Sequence, residues 1–186
     1  YQRLGAGSGG GVVAPGSPEA LLQAVCLIPG STEWGYGTTV ISRLDQNDQF
    51  LNWENRNTNY NISDLEVSIT QLKAAAPNVN TIVLVVSWFG TSADIATCQI
   101  APRVETGVKN TSPRAWAAGA YTRSNAAVMS TINGNPVFGS SPDSTSVVEC
   151  INYLKNQGYR VIMYPFILID DGANYPWRGR ITSLVD

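Results

Sequence analysis

Two places in this sequence put carboxylates where sugar chemistry could be done. Glu33-Trp34, with Tyr36 close by, follows Pro29-Gly30 in a Gly-rich stretch, and Asp170-Asp171 closes the apolar run Tyr159–Asp170. A carboxylate beside aromatic rings suits carbohydrate, because rings stack on the apolar face of a pyranose while carboxylates accept from hydroxyls or protonate a leaving oxygen. The plainer alternative leaves Glu33 solvated and Trp34 packed against its loop. Neighbouring carboxylates disfavour joint ionisation, which marks Asp170-Asp171 for raised pKa behaviour. Adjacent strand residues point to opposite faces, so at most one of the two faces a given cleft. Trp88, in Trp88-Phe89-Gly90 at the end of another apolar run, either offers a stacking face or closes the core. Arg178 and Arg180, in Trp177-Arg178-Gly179-Arg180, could grip a carboxylate or phosphate through their planar forks, or hold their own loop by pairing with Asp170 or Asp171. Arg103 and Glu105 stand two apart on an expected strand, a spacing suited to pairing across a hairpin. Glu33, Asp170 and Asp171 are thus the candidates for catalysis, and Trp34, Trp88, Trp177 and Arg178 the candidates for glycan contact.

Composition removes other chemistries. The chain has no histidine, which excludes Ser-His-Asp and Cys-His catalysis and imidazole zinc sites within these residues. Cys26, Cys98 and Cys150 are odd in number and widely spaced, so they indicate neither a disulfide framework nor a metal knuckle. No metal and no cofactor is expected. Gly5-Ala6-Gly7-Ser8-Gly9-Gly10 spells a dinucleotide fingerprint, but no strand precedes it and no helix pattern follows. A net charge of −2 with 14% charged residues leaves no basic stripe for a phosphate backbone, so no direct nucleic-acid site is expected. No apolar run approaches the ~20 residues needed to span a bilayer.

The elements that must position these residues can be read from periodicity. Val25–Pro29, Thr81–Trp88 and Tyr159–Asp170 are continuous apolar runs of the kind buried parallel strands show. Ser63-Asp64-Leu65-Glu66 is a capping box, and Leu65, Ile69, Leu72 and Ala76 then recur at helical steps before Pro77, which predicts a helix Asp64–Ala76. Asp143 or Ser144 caps a second helix bearing Val147, Val148, Ile151 and Leu154, with Gly158 at its stop. Ser17-Pro18-Glu19 starts a short helix. Tyr1–Pro18 reads as a Gly/Ser/Pro linker, and residues 19–186 as one unit with an excursion inserted around 91–140. Within it, Asn133-Gly134-Asn135 predicts a hairpin over Ala127–Phe138, and Ala115–Tyr121 could add a strand. Successive β/α units follow from this pattern, as an incomplete barrel or a smaller open sheet.

Several strings then occur in a telling order: Cys26-Leu27-Ile28-Pro29-Gly30, Val83-Leu84-Val85-Val86-Ser87-Trp88-Phe89-Gly90, Tyr164-Pro165-Phe166-Ile167-Leu168, and Pro176-Trp177-Arg178-Gly179-Arg180-Ile181-Thr182. Ile100-Ala101-Pro102-Arg103-Val104-Glu105, Thr111-Ser112-Pro113 and Ser141-Pro142-Asp143-Ser144 lie between them. From about Leu21 to Thr182 the chain resembles the glycoside-hydrolase-like TIM-barrel domain of the large tail-tip (baseplate hub) protein of gene transfer agents and related tailed phages. The stretch between Asp170 and Trp177 is short against that family's pattern. The resemblance implies an α/β fold, the first strands of a (β/α)8 barrel within a larger chain in an oligomeric tail assembly. It also implies a place in the virion tail tip, with other tail and baseplate proteins as partners and host envelope glycan as a further contact. Its implied role is structural, docking in the tail or touching glycan during DNA delivery; the alternative is an active glycoside hydrolase that degrades cell-wall or surface polysaccharide. On a barrel, Glu33, Trp34, Trp88, Asp170 and Trp177 would converge on the rim at the strand C-termini.

Overall fold

The structure is a computed structural model that describes residues 13–28 and 32–170. A short helix α1 (Pro18–Leu21), capped by the Ser17 side chain, leads into β1 (Ala24–Leu27). Then come β2 (Ser42–Leu44), β3 (Phe50–Trp53), α2 (Asp64–Ala75) and β4 (Thr81–Gly90). Between β4 and the next helix lie short strands only: β5 (Ile100–Ala101), β6 (Arg103–Val104), β7 (Asn110–Ser112), β8 (Ala117–Ala118), β9 (Tyr121–Thr122), β10 (Ala127–Val128), β11 (Thr131–Ile132) and β12 (Asn135–Pro136). The described chain closes with α3 (Ser144–Asn156) and β13 (Arg160–Ile169).

The three apolar runs pair in parallel in the order β1-β4-β13, with β5 antiparallel to β4 at Phe89 and Gly90. Parallel pairing requires crossovers, and α2 and α3 supply them. Both helices start where the sequence says they should. Ser63 accepts from the Glu66 N–H while the Glu66 carboxylate accepts from the Ser63 N–H, a complete capping box. Asp143 accepts from the Ser146 N–H, and Gly158, at φ 90°, takes the left-handed position that ends α3. Leu65 and Ile69 from α2 and Val147, Cys150 and Leu154 from α3 meet Ile82 and Leu84 of β4 in one buried cluster. A fully buried aliphatic of this kind contributes about 1.5–3 kcal/mol. Burial also pushes the Cys150 thiol up to about 12, so it behaves as a small hydrophobe.

Pro165 sits in the middle of β13 without breaking it. The Arg160 N–H donates to Asn80 and the Asp170 N–H to Gly90, so even-numbered residues of β13 face β4 and odd-numbered ones face away. Proline at 165 therefore forfeits no bond to β4.

The expected start of a (β/α)8 barrel is not what forms. Among the described residues strand outweighs helix, no barrel closes, and the chain divides into several small sheets. Closure needs about eight tilted strands, and only three pair in parallel in the main sheet. The connections explain the rest. β2 forms an antiparallel hairpin with β3 and pairs on its other side with β7, so residues far outside the β/α pattern make a sheet of their own. Residues 91–142 hold no helix; they fold around a second buried cluster of Trp34, Ile41, Val104, Trp116 and Ala118. The hairpin expected over Ala127–Phe138 is shorter, with β11 and β12 joined by Asn133-Gly134 at φ 52° and 78°. This is the turn that Asn-Gly favours. Ala127 and Val128 instead pair in parallel with Arg103 and Val104. Ala115–Tyr121 yields not one strand but the β8–β9 pair.

Candidate functional site

Glu33 is fully buried in the loop after β1. Arg123 grips it with both guanidinium nitrogens, at 2.9 Å to Oε1 and 2.5 Å to Oε2. The Glu105 N–H donates to Oε1 at 3.0 Å, and Lys109 Nζ stands 3.2 Å from Oε2. Lys109 is shared further, with Glu54 at 3.1 Å and Glu105 at 2.6 Å. Burial alone would raise the Glu33 carboxyl, but the Arg123 hydrogen bonds and the charges of Lys109 and Arg123 hold it below its ordinary value. Glu105 goes the other way: burial raises it, Lys109 opposes, and Glu33 and Glu54 add repulsion. Burial would lower Lys109, yet the surrounding Glu33, Glu105 and Glu54 raise it.

Trp34 is fully buried too, packed with Trp116, Ile41 and Val104, and the Arg114 guanidinium lies 5.6 Å from its ring centre. It presents no face to solvent. Arg114 continues to the Asp143 carboxylate at 3.3 Å, Glu149 at 2.8 Å and the Ser146 hydroxyl at 3.0 Å. Glu149 also accepts from the Thr38 and Thr39 N–H groups and the Thr39 hydroxyl. Burial would raise its carboxyl, but these donors, Arg114 first, hold it low. The Asp143 N–H donates to the Glu33 carbonyl at 2.8 Å, so the two networks share a backbone link.

Asp170, buried after β13, pairs with Arg103 at 2.9 Å and accepts from the Ser130 N–H. Arg103 also reaches the Asp170 carbonyl and that of Val128. Arg103 and Glu105 thus do not pair across a hairpin; each turns to a different network. Trp88 is half-buried, edge-on to Tyr121 with ring centres 6.3 Å apart, under the β8–β9 turn. Asp171, Trp177, Arg178 and Arg180 lie outside the described residues, as do Tyr1–Val12 of the expected linker.

Glu33, Trp34, Trp88 and Asp170 therefore all meet one structure, the insert 91–142. That segment contains four basic residues, Arg103, Lys109, Arg114 and Arg123. Each pairs with a carboxylate outside the insert: Asp170, Glu33 with Glu54, Asp143 with Glu149, and Glu33. Residue-by-residue reading missed this because the partners lie 29 to 90 positions apart in sequence. The one available signal was that every cation of the insert faces a chain richer in acids.

Open space near the C-terminal end of β1 lies elsewhere. A cleft of about 250 Å³ is lined by the apolar Leu27, Ile28 and Leu65 and by the polar Thr32, Glu54, Asn57, Asp64 and Ser68. Asp64 there accepts from the Asn57 N–H and side-chain amide. A lining that mixes apolar side chains with hydroxyls and carboxylates can take a polyol or a sugar edge. No group of three or more potential metal ligands occurs among the described residues, and no described helix is long and apolar enough to cross a membrane. No family model and no curated protein matches this chain.

Proposed function

We propose that this chain is a structural module of a phage or gene-transfer-agent tail tip, one that docks against other tail and baseplate proteins or touches host envelope glycan during DNA delivery. The tail-tip context rests on the ordered strings that resemble that family. The structural role rests on one observation: the described candidate carboxylates are already committed to cations of the insert. A glycosidase acid must reach the glycosidic oxygen and hold its proton near neutral pH. Glu33 is sealed from solvent and held below its ordinary pKa, which opposes that task. Glycan contact, where it occurs, falls to the cleft beside β1 rather than to Trp34.

The rival reading is an active glycoside hydrolase. Incubating the protein with purified peptidoglycan and host surface polysaccharide separates the two. Co-sedimentation without released reducing ends supports the structural role, and recovery of the chain in purified tailed particles supports its location. Reducing ends released by the protein, and lost in Glu33→Gln or Asp170→Asn variants that circular dichroism shows to be folded, would overturn the proposal.

A further inference from the structure

We infer that the cleft beside β1 takes an amino sugar, holding its ammonium through Asp64 and Glu54. The inference rests on the glycan contact proposed above and names the class of sugar that makes it. Among the residues lining the cleft only Glu54 and Asp64 are charged, and both are acids. The backbone fixes each of them. Just past β3 the Glu54 N–H donates to the Ile41 carbonyl at 2.8 Å, and at the start of α2 the Asp64 N–H donates to the Asn55 carbonyl at 2.9 Å.

The cations nearby leave that charge standing. Lys109 Nζ serves Glu54, Glu105 and Glu33 at once, at 3.1, 2.6 and 3.2 Å. Arg123 serves Glu33 again, so two cations answer three carboxylates. Even with Glu105 protonated that group is only balanced, and Asp64 stands outside it. Asp64 accepts from the Asn57 N–H at 2.8 Å and the Asn57 side-chain amide at 2.7 Å, both neutral donors, and has no ion pair among the described residues. The N-terminus of α2 offers it about half a positive charge, which leaves the rest uncompensated. Arg56, the one base between residues 54 and 64, lies 4.0 Å over the Trp53 ring and does not line the cleft.

Charge, size and lining together choose the occupant. A uronate or a phosphate would bring like charge to these carboxylates, which is penalised. A neutral sugar would leave the Asp64 charge unmet, whereas an ammonium on the ring adds a charge-assisted bond, roughly twice as strong as a neutral one. A linear polyamine or a lysine side chain carries the charge but brings no hydroxyls to Thr32 and Ser68. A sugar ring brings both, and its C–H face can lie on Leu27, Ile28 and Leu65. At about 250 Å³ the cleft is smaller than the roughly 300–1,000 Å³ of a site for a drug-sized ligand, which suits one ring of a glycan and not a longer stretch.

Isothermal titration calorimetry of the full chain at mildly acid pH tests this, with circular dichroism confirming that each variant is folded. The probes are a β-1,4-linked glucosamine trimer, its N-acetylated counterpart, a galacturonate trimer and spermine. The expected result is that the glucosamine trimer binds at least about tenfold tighter than each of the others. Asp64→Asn should remove that preference. Ser68 is exposed on α2, so Ser68→Trp should fill the cleft and abolish binding without touching the core. An acetylated trimer that binds as tightly as the glucosamine trimer, and is lost in Ser68→Trp, would overturn the inference while sparing the glycan contact. Spermine that binds as tightly as the glucosamine trimer, or an Asp64→Asn variant that keeps the preference, would overturn it as well. No binding of any sugar would remove the glycan contact and the inference together.

Discussion

Arg123 and Glu33, 90 positions apart in the sequence, meet through two parallel hydrogen bonds inside a site that excludes solvent. This bidentate pair joins the far end of the insert to the loop after β1. Removing one partner of a buried pair costs up to about 3–5 kcal/mol, and without Arg123 the buried Glu33 is left under-compensated, with only Lys109 at 3.2 Å and the Glu105 N–H. Arg123→Ala should therefore lower the urea midpoint steeply, whereas a paired apolar replacement of Glu33 and Arg123 should recover much of the loss. Equal destabilisation by the single and paired variants would show that packing, rather than the under-compensated carboxylate, sets the cost.

The same network fixes a pH profile. Glu33 and Glu149 are held below the ordinary 4.5, so the folded state binds their protons less readily than the unfolded chain does. Their contribution is complete above 4.5 and is lost as pH falls through the lowered folded values. Glu105, raised, opposes part of this: its contribution is present below 4.5 and is lost as pH rises through its folded value. Lys109, raised above 10.5, stabilises below that value and ceases to as pH rises through its folded pKa. Denaturant midpoints should thus form a plateau across neutral pH with a decline on both sides. Glu149→Gln should make the acid decline shallower.

Asp143 does more than cap a helix, and that gives a graded test. Its carboxylate takes the Ser146 N–H and hydroxyl, the Ala117 N–H and the Arg114 guanidinium. Ser63 serves α2 alone, through the Glu66 N–H and carboxylate. Ser63→Ala should cost about 1 kcal/mol, the usual value for a lost cap. Asp143→Ala should cost clearly more, because it also removes one of the two carboxylates that Arg114 pairs with and the acceptor of the Ala117 N–H. Equal losses in thermal or urea unfolding would mean that the Arg114 and Ala117 contacts contribute nothing.

What could be read ahead of the structure follows the range of the interactions. α2 and α3 were legible because a cap and a helical repeat are written within a few residues, and Asn133-Gly134 carries its own turn. The three parallel strands were legible as unbroken apolar runs. The barrel was an over-extension of that local pattern: three parallel strands were read as the start of eight, while β2 and β3 of the first connection and β7 of the second leave the β/α pattern and make a sheet of their own. Glu33-Trp34 looked like a sugar site because type and spacing say nothing of burial. Arg123, Lys109 and Arg114 decide that, and nothing near position 33 announces them.

Gly90 supplies the last test, at the hinge between β4 and the insert. A Cβ there would stand 2.8 Å from the Cys98 sulfur, too close to be tolerated without movement, while its next neighbour, Ile169, is at an ordinary 3.7 Å. Cys98 is held in place by the turn after β4, where the Thr91 N–H donates to Gln99 and the Cys98 N–H donates to Asp94. Gly90→Ala should therefore cost about 1–3 kcal/mol through overpacking. Cys98→Ala removes the obstructing sulfur and should reduce the penalty of Gly90→Ala to less than half. A double-mutant cycle on urea midpoints reads this coupling directly. If the penalty is unchanged without the sulfur, the constraint at Gly90 comes from its backbone and not from the packing of the turn on β4.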